Sequence, residues 1–199
     1  MIKKFPHYKQ LDSFDCGPST LRMVSKFYGR EYSAEMLRRH CHISRRGVSL
    51  LSISEGARYI GFETVGVKMS FEQLVRDGVF PCILHWNQNH FVVCYGIEKR
   101  KHGGFKIHIS DPASQRLTYT KEEFERCRLG PKAHENGNGV ALMLEPGDNF
   151  GKIEDEYRKN SRSMLSFARY FTPYRSMIGQ LVLAMLTGSG KQIILPFFS

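Results

Sequence analysis

Beyond Glu156 the sequence has no acidic residue, while Arg158, Lys159, Arg162, Arg169, Arg175 and Lys191 all fall there. The formal net charge of +10 is therefore partly a C-terminal feature. Upstream, basic residues are scattered among acids apart from short clusters such as Arg45-Arg46 and Lys99-Arg100-Lys101-His102, which read as solvated surface. The five cysteines, Cys16, Cys41, Cys82, Cys94 and Cys127, are odd in number and form no CxxC pair. The opening MIKKFPHYKQ lacks the apolar core of a secretory signal. A disulfide framework is thereby disfavoured, and a reducing, cytoplasmic environment is expected. Zinc is disfavoured on the same spacing, because Cys41 and His42 are adjacent and only His40 stands with them. No metal site and no cofactor are expected within the chain.

What is present is the composition of a folded domain. The 199 residues are 41% hydrophobic and 24% charged, enough for one domain with a real core plus an appendage. In DCGPSTLRMVSKFYG, residues 15–29, Leu21, Val24 and Phe27 or Tyr28 recur at helical spacing, with Pro18 tolerated near the start and Gly29 suited to the stop. Cys16 is thus placed at a helix N-terminus. Shorter helices are expected to begin at Ser33, Ser49 and Ser70, where Ser70 and Gln73 form a capping-box pattern and Gly78 ends the helix. The first half reads as mainly helical.

From Val79 the pattern changes to short apolar and β-branched runs, VFPCILHW, HFVVCYGI, FKIHIS and RLTYT, separated by polar or glycine-rich turns. They predict an antiparallel sheet. Thr120 and Glu123 open one more helix by the capping-box rule, and GVALMLEP reads as a last strand closing near Pro146. The expected class is α+β, a helical lobe packed on an antiparallel sheet lobe.

Three regions follow: a folded domain over 1–147, a polar linker over 148–165, and a basic and apolar tail over 166–199. Within the tail, 177–198 has about the ~20 residues needed to cross a bilayer, interrupted by GSGK. The preceding basic residues would hold its start on the cytoplasmic side. An amphipathic surface helix, with Phe167, Tyr170 and Phe171 before it, is equally compatible. Gly188-Ser189-Gly190-Lys191 is no phosphate loop, because Met185 stands where a glycine is needed and Gln192 where Ser or Thr is needed. The apolar content of 177–198 and the lack of a reading motif speak against nucleic acid.

A thiol becomes a nucleophile on deprotonation, which a helix N-terminus and a nearby imidazole both favour. Cys16 has the first. His90, opening the apolar strand in NQNHFVVCYG, can supply the second as general base. Asp111, ending the next run in HISDPA, can orient the imidazole. Gln10, six residues before Cys16, offers a side-chain amide beside the Cys16 backbone N–H as oxyanion donors. Each element alone has a bland reading as core cysteine, strand histidine or Asp-Pro turn; their order and contexts together point to a catalytic constellation.

The stretches QLDSFDCGPSTLRMVSKFYG, HFVVCYGI and ISDPASQRLTYTKEEF resemble the papain-like cysteine peptidase domains at the N-termini of bacterial ABC exporters that process double-glycine leaders of bacteriocins. The resemblance runs over about residues 5–146 and implies Cys16 as nucleophile, His90 as base and acid, Asp111 as orienting residue and Gln10 as oxyanion donor. It also implies a precursor peptide whose leader ends in Gly-Gly or Gly-Ala, is cut directly after that pair, and is bound as an amphipathic helix in an apolar groove. In such exporters a linker and the first transmembrane helix of a permease follow, and RYFTPYRSMIGQLVLAML resembles that junction. The expected partners are then the leader peptide, the membrane through the tail, and permease and ATPase domains absent here. ATP would enter only through such a downstream domain. The expected location is the cytoplasmic face of the bacterial inner membrane.

Two other readings remain open at this level. A Cys-His-Asp acyltransferase would use the same triad through a thioester. A non-catalytic docking module would bind leaders without cutting, although degenerate domains of that kind lose a triad residue and Cys16, His90 and Asp111 are all present here.

Overall fold

The computed structural model describes residues 5–44, 47–87, 89–100, 103–129 and 137–154, together with 176, 177, 179, 180 and 185. The chain divides into two units, Met1–Tyr157 and Arg158–Ser199. Of the second, the few described residues are helical, and most of the tail on which a membrane anchor was expected lies outside the described residues, as does much of the expected linker. Among the described residues no helix is long and apolar enough to cross a membrane.

The first unit opens with three helices, α1 (Cys16–Phe27), α2 (Ala34–His40) and α3 (Leu50–Tyr59). Their starts follow from local chemistry. Ser33 and Ser49 cap α2 and α3 by accepting from the N–H groups of Met36 and Ser52. After α1, Gly29 takes a positive φ of 87° and its N–H donates to the Lys26 carbonyl, closing the helix. Helix α4 (Phe71–Asp77) carries the full Ser70–Gln73 capping box, and Gly78 is its C-cap. In α5 (Lys121–Leu129), the Thr120 N–H donates to Glu123 Oε2 at 2.9 Å and the Glu123 N–H to Thr120 Oγ1 at 3.4 Å, the reciprocal pattern expected there.

One antiparallel sheet runs in the order β1-β6-β2-β3-β4-β5, built from β1 (Phe62–Met69), β2 (Cys82–Trp86), β3 (His90–Lys99), β4 (Phe105–Ser110), β5 (Arg116–Tyr119) and β6 (Gly139–Pro146). The four middle strands and the last fall on the expected apolar runs. The first half is mainly helical as expected, and β1 is a strand within it that the sequence reading did not place. FETVGVKM pairs along its whole length with β6, from Phe62↔Pro146 to Met69↔Gly139. The partner lies some eighty residues downstream, so the strand forms by long-range pairing that local periodicity does not announce. The last strand is consequently interior to the sheet, between β1 and β2.

Alternation along the strands divides two cores. On one face Ile83, Phe91, Val93, Leu142 and Leu144 pack under α1, α2 and α3 with Leu21, Val24, Leu37 and Ile53. On the other, Cys82, Leu84, Val92, Cys94 and Ala141 pack with Phe71, Leu74 and Phe124 of α4 and α5. A fully buried Leu or Ile contributes about 1.5–3 kcal/mol. A one-residue slip of β2 would exchange Ile83 and Leu84 between cores, so the register that fixes His90 is strongly specified.

Candidate active site

Cys16 is the first residue of α1 and is buried. Close packing holds that helix start in place: a Cβ on Gly17 would come within 2.6 Å of Val48 Cγ1 and 2.8 Å of Ile53 Cγ1. The residue before it, Asp15, occupies the N-cap position but makes no side-chain cap bond. The first-turn N–H groups of Cys16 and Gly17 therefore have no intrahelical acceptor, and Pro18 has no N–H at all. The positive end of α1 thus falls at the residue that carries the thiol.

Asp15 is itself buried, and its Oδ1 lies 2.7 Å from Arg38 Nε as an ion pair without the alignment of a hydrogen bond. Its Oδ2 accepts from the Asp12 N–H at 3.2 Å. The turn between Gln10 and Cys16 is shaped by these contacts.

His90 is the first residue of β3, directly across from Trp86 at the end of β2. The connecting turn begins at Asn87, which has a positive φ of 44° and whose N–H donates to the Cys127 carbonyl of α5 at 2.9 Å. Trp86 is buried against Tyr119 and Phe124. The hairpin end that presents His90 is thereby anchored from behind.

Asp111 follows β4, which pairs with β3. Its Oδ1 lies 2.7 Å from His90 Nε2 and accepts from the Ala113 N–H at 2.8 Å, and its Oδ2 accepts from the Ser114 hydroxyl at 3.0 Å. Burial alone would push this carboxyl up, but the His90 bond first, then the Ala113 N–H, the His90 charge and the Ser114 hydroxyl, hold it below the ordinary carboxylate value. Burial alone would push His90 down. The Asp111 hydrogen bond first, then interaction with Cys16 and the Asp111 charge, override it and raise the imidazole to about 9. At neutral pH the ring is therefore charged, with Nε2–H given to Asp111.

The structure thus brings His90 and Asp111 into a hydrogen-bonded pair, beside which Cys16 acts on the imidazole. Gln10 is joined to the pair through its backbone: its N–H donates to the carbonyl of Pro112, next to Asp111, at 2.9 Å. Its side-chain Oε1 is buried without a hydrogen-bond partner among the described residues. Of the other cysteines, Cys41, Cys82 and Cys94 are buried and Cys127 is half-buried, all with free thiols. Burial pushes the Cys41 thiol up to about 12, which keeps it inert at neutral pH.

A cavity of about 620 Å³ opens beside the sulfur, lined by Phe14, Val48, Leu50, His85, Phe91 and Val140 among others. Sequence reasoning did not find this cleft. The only available signal was period two along the strands, which sets His85 and Ile83 on the α1 face of β2. The lining residues at 14 and 47–49 lie on connections before α1 and α3 and Leu50 opens α3, and nothing local predicts that they meet.

The model of the Peptidase C39 family matches residues 4–128. Among curated relatives, the colicin V secretion/processing ATP-binding protein of Escherichia coli is 29% identical over 82% of this chain and 21% of its own length. The transport/processing ATP-binding protein ComA of Streptococcus pneumoniae is 30% identical over 90% of this chain and 24% of its own. The chain thus spans less than a quarter of these relatives. Among solved structures, a double glycine motif protease from an AMS/PCAT transporter, in complex with the leader peptide, superposes with a TM-score of 0.62 at 34% identity, covering 72% of this chain and 92% of that one. The peptidase domain of Streptococcus ComA gives 0.59 at 29%, covering 71% and 98%. A thiol at a helix start, an imidazole and carboxylate on adjacent strands, and a papain-like α+β fold common to these neighbours leave one assignment: this chain is a cysteine peptidase and belongs to the Peptidase C39 family.

Proposed function

We propose that the chain removes the leader from an exported precursor peptide, of the bacteriocin class, by cutting directly after a double-glycine pair. The observation that carries this reading is Cys16 in the wall of a cleft lined in part by Phe14, Val48, Leu50, Phe91 and Val140, with His90, bonded to Asp111 at 2.7 Å, acting on it. It is supported by the matching double glycine motif protease that holds a leader peptide.

In this reading Cys16 Sγ attacks the carbonyl carbon of the second glycine. The developing oxyanion is met by the Cys16 N–H and the Gln10 side-chain amide. His90 gives its proton to the leaving amine, the peptide C–N bond breaks, and the leader remains as a thioester on Cys16. Water, deprotonated by the now neutral His90, attacks the thioester, releasing the leader acid and returning the proton to the Cys16–His90 pair. Asp111 keeps Nε2 occupied so that Nδ1 faces the sulfur throughout. No cofactor enters any step. The apolar part of the cleft, Phe14, Val48, Leu50, Phe91 and Val140, suits the hydrophobic face of an amphipathic leader helix, and glycines at the scissile bond pass where side chains would meet the buried sulfur's surroundings.

The relatives' names pair processing with transport and ATP binding. On that basis the peptidase works with permease and ATPase domains of an ABC exporter, at the cytoplasmic face of the inner membrane, whether joined covalently or as separate chains. A membrane-docking tail remains part of the proposal, tested by partition of the full chain with lipid vesicles against residues 1–150.

The direct test of function uses a synthetic precursor with an amphipathic leader and a Gly-Gly junction, incubated with the protein and with Cys16→Ala and read by mass spectrometry. A cut after the second glycine that is lost in the variant supports the reading. Binding without any cut would replace it by a docking module.

A further inference from the structure

The segment that carries Gln10 is not a free N-terminal tail. Phe5 is buried and stacks on Tyr95 of β3 at 4.7 Å between ring centroids, nearly coplanar at 4°. Its carbonyl accepts from Arg116 NH1 of β5 at 3.0 Å, across 111 residues of sequence. His7 Nδ1 lies 3.0 Å from the hydroxyl of Ser110, the residue before Asp111, and that hydroxyl donates to Met23 Sδ of α1 at 3.1 Å. The Gln10 N–H closes the series on the Pro112 carbonyl at 2.9 Å. Residues 5–10 are thus strapped at successive points to the two strands that flank the Asp111 turn.

We propose that this strap positions the oxyanion donor, and that Arg116 is a positioning residue of the peptidase although it touches neither substrate nor Cys16. The strap makes Gln10 and Asp111 parts of one rigid piece, so the donor for the tetrahedral oxyanion and the carboxylate that orients His90 keep a fixed separation. Arg116 sets the far end. Its planar guanidinium reaches from the edge strand to the Phe5 carbonyl and fixes the length of chain over which Gln10 can wander. Releasing that end leaves the Phe5 carbonyl unpaired and the arm held by the Phe5 ring stack, Tyr8, His7 and the Pro112 carbonyl, and a donor displaced by about 1 Å can cost on the order of 10²-fold in rate. The proposal rests on the reading of Gln10 as oxyanion donor.

The test is a double-mutant cycle of Arg116→Gln and Gln10→Ala on the full chain, with the Gly-Gly leader precursor as substrate. The expected result for Arg116→Gln is a fall in kcat of about tenfold or more, with KM within about twofold of the parent. The rate at which iodoacetamide alkylates Cys16 should not change, because that displacement passes through no tetrahedral oxyanion; a merely structural role would lower it together with kcat. In the Gln10→Ala background the same substitution should have no further effect, and Arg116→Lys, which keeps a donor for the Phe5 carbonyl, should recover most of the loss. His7→Ala, which frees the middle of the strap, should give the same signature and serves where Arg116→Gln does not fold. An unchanged kcat in both variants overturns the proposal. So does an equal loss in the presence and absence of the Gln10 side chain. If Gln10→Ala alone leaves kcat intact, the donor reading itself has failed, and the strap loses its purpose by that separate route.

Discussion

His90 Nε2 and Asp111 Oδ1 stand 2.7 Å apart across adjacent strands, and this contact sets the pH behaviour of the peptidase. The imidazole is raised from 6.5 to about 9, so the protonated ring persists through neutrality. The alkaline limb of kcat/KM should accordingly fall with an apparent value of about 9. Asp111→Asn removes the hydrogen bond and charge that hold the proton. It should move that limb downward and lower kcat by about 10²-fold, as measured by leader cleavage across pH 5 to 10.

The same pair contributes to stability in a window whose edges follow from its signs. A group raised in the folded state, like His90, stabilises fully below its ordinary 6.5 and loses that contribution as pH rises through about 9. A depressed carboxyl, like Asp111, stabilises above its ordinary 3.8 and loses it as pH falls. The Tm difference between the parent and Asp111→Asn should therefore peak between 3.8 and 6.5. It should shrink toward pH 9 and above, as read by thermal unfolding. A difference that keeps growing as pH rises above 6.5 would contradict the ion pair.

Gly17→Ala tests how tightly the nucleophile's helix is set. The added methyl would meet Val48 and Ile53 at 2.6 and 2.8 Å, and Ile53 is fully buried. The expected cost is about 1–3 kcal/mol, read by urea unfolding, with slower cleavage because the start of α1 must shift.

Arg38→Met leaves the buried Asp15 carboxylate without its partner. Because Arg38 is about one-third exposed, the loss should be nearer 1–2 kcal/mol than the ~3–5 kcal/mol of a fully buried pair. Adding Asp15→Asn should restore much of it, and a double-mutant cycle by chemical denaturation reads the coupling.

Leu50→Glu places a charge in the cleft wall beside the sulfur. Leader KM should rise by about tenfold or more, and alkylation of Cys16 by iodoacetamide should slow as well, because a carboxylate beside the sulfur disfavours the thiolate.

Much of this was legible in the sequence for physical reasons that can be named. Ser33, Ser49, Ser70 and Thr120 announce helices because their side chains bond the first-turn N–H groups, a local event. HFVVCYGI and FKIHIS announce strands by their β-branched runs, and with them the meeting of His90 and Asp111. β1 was not legible, because its partner β6 lies far along the chain and Val65 and Gly66 face solvent. The cleft stayed hidden for a related reason: Phe14, Val48 and Val140 come together only after the sheet has formed. Gln10 was legible as a residue type and a spacing, whereas the strap that holds it depends on backbone contacts to Arg116 and Pro112 that no side-chain pattern encodes.

The most direct test of the account is covalent capture of the nucleophile by its own substrate. A leader peptide ending in Gly-Gly fluoromethyl ketone, in place of the scissile amide, should alkylate Cys16 with loss of HF. Peptide mapping should place a single adduct there and none on Cys41, Cys82, Cys94 or Cys127, with the adduct abolished in His90→Ala and suppressed when the pair is replaced by Val-Val. An adduct on another cysteine, or equal labelling by the Val-Val analogue, would contradict the assignment of Cys16 and of double-glycine specificity.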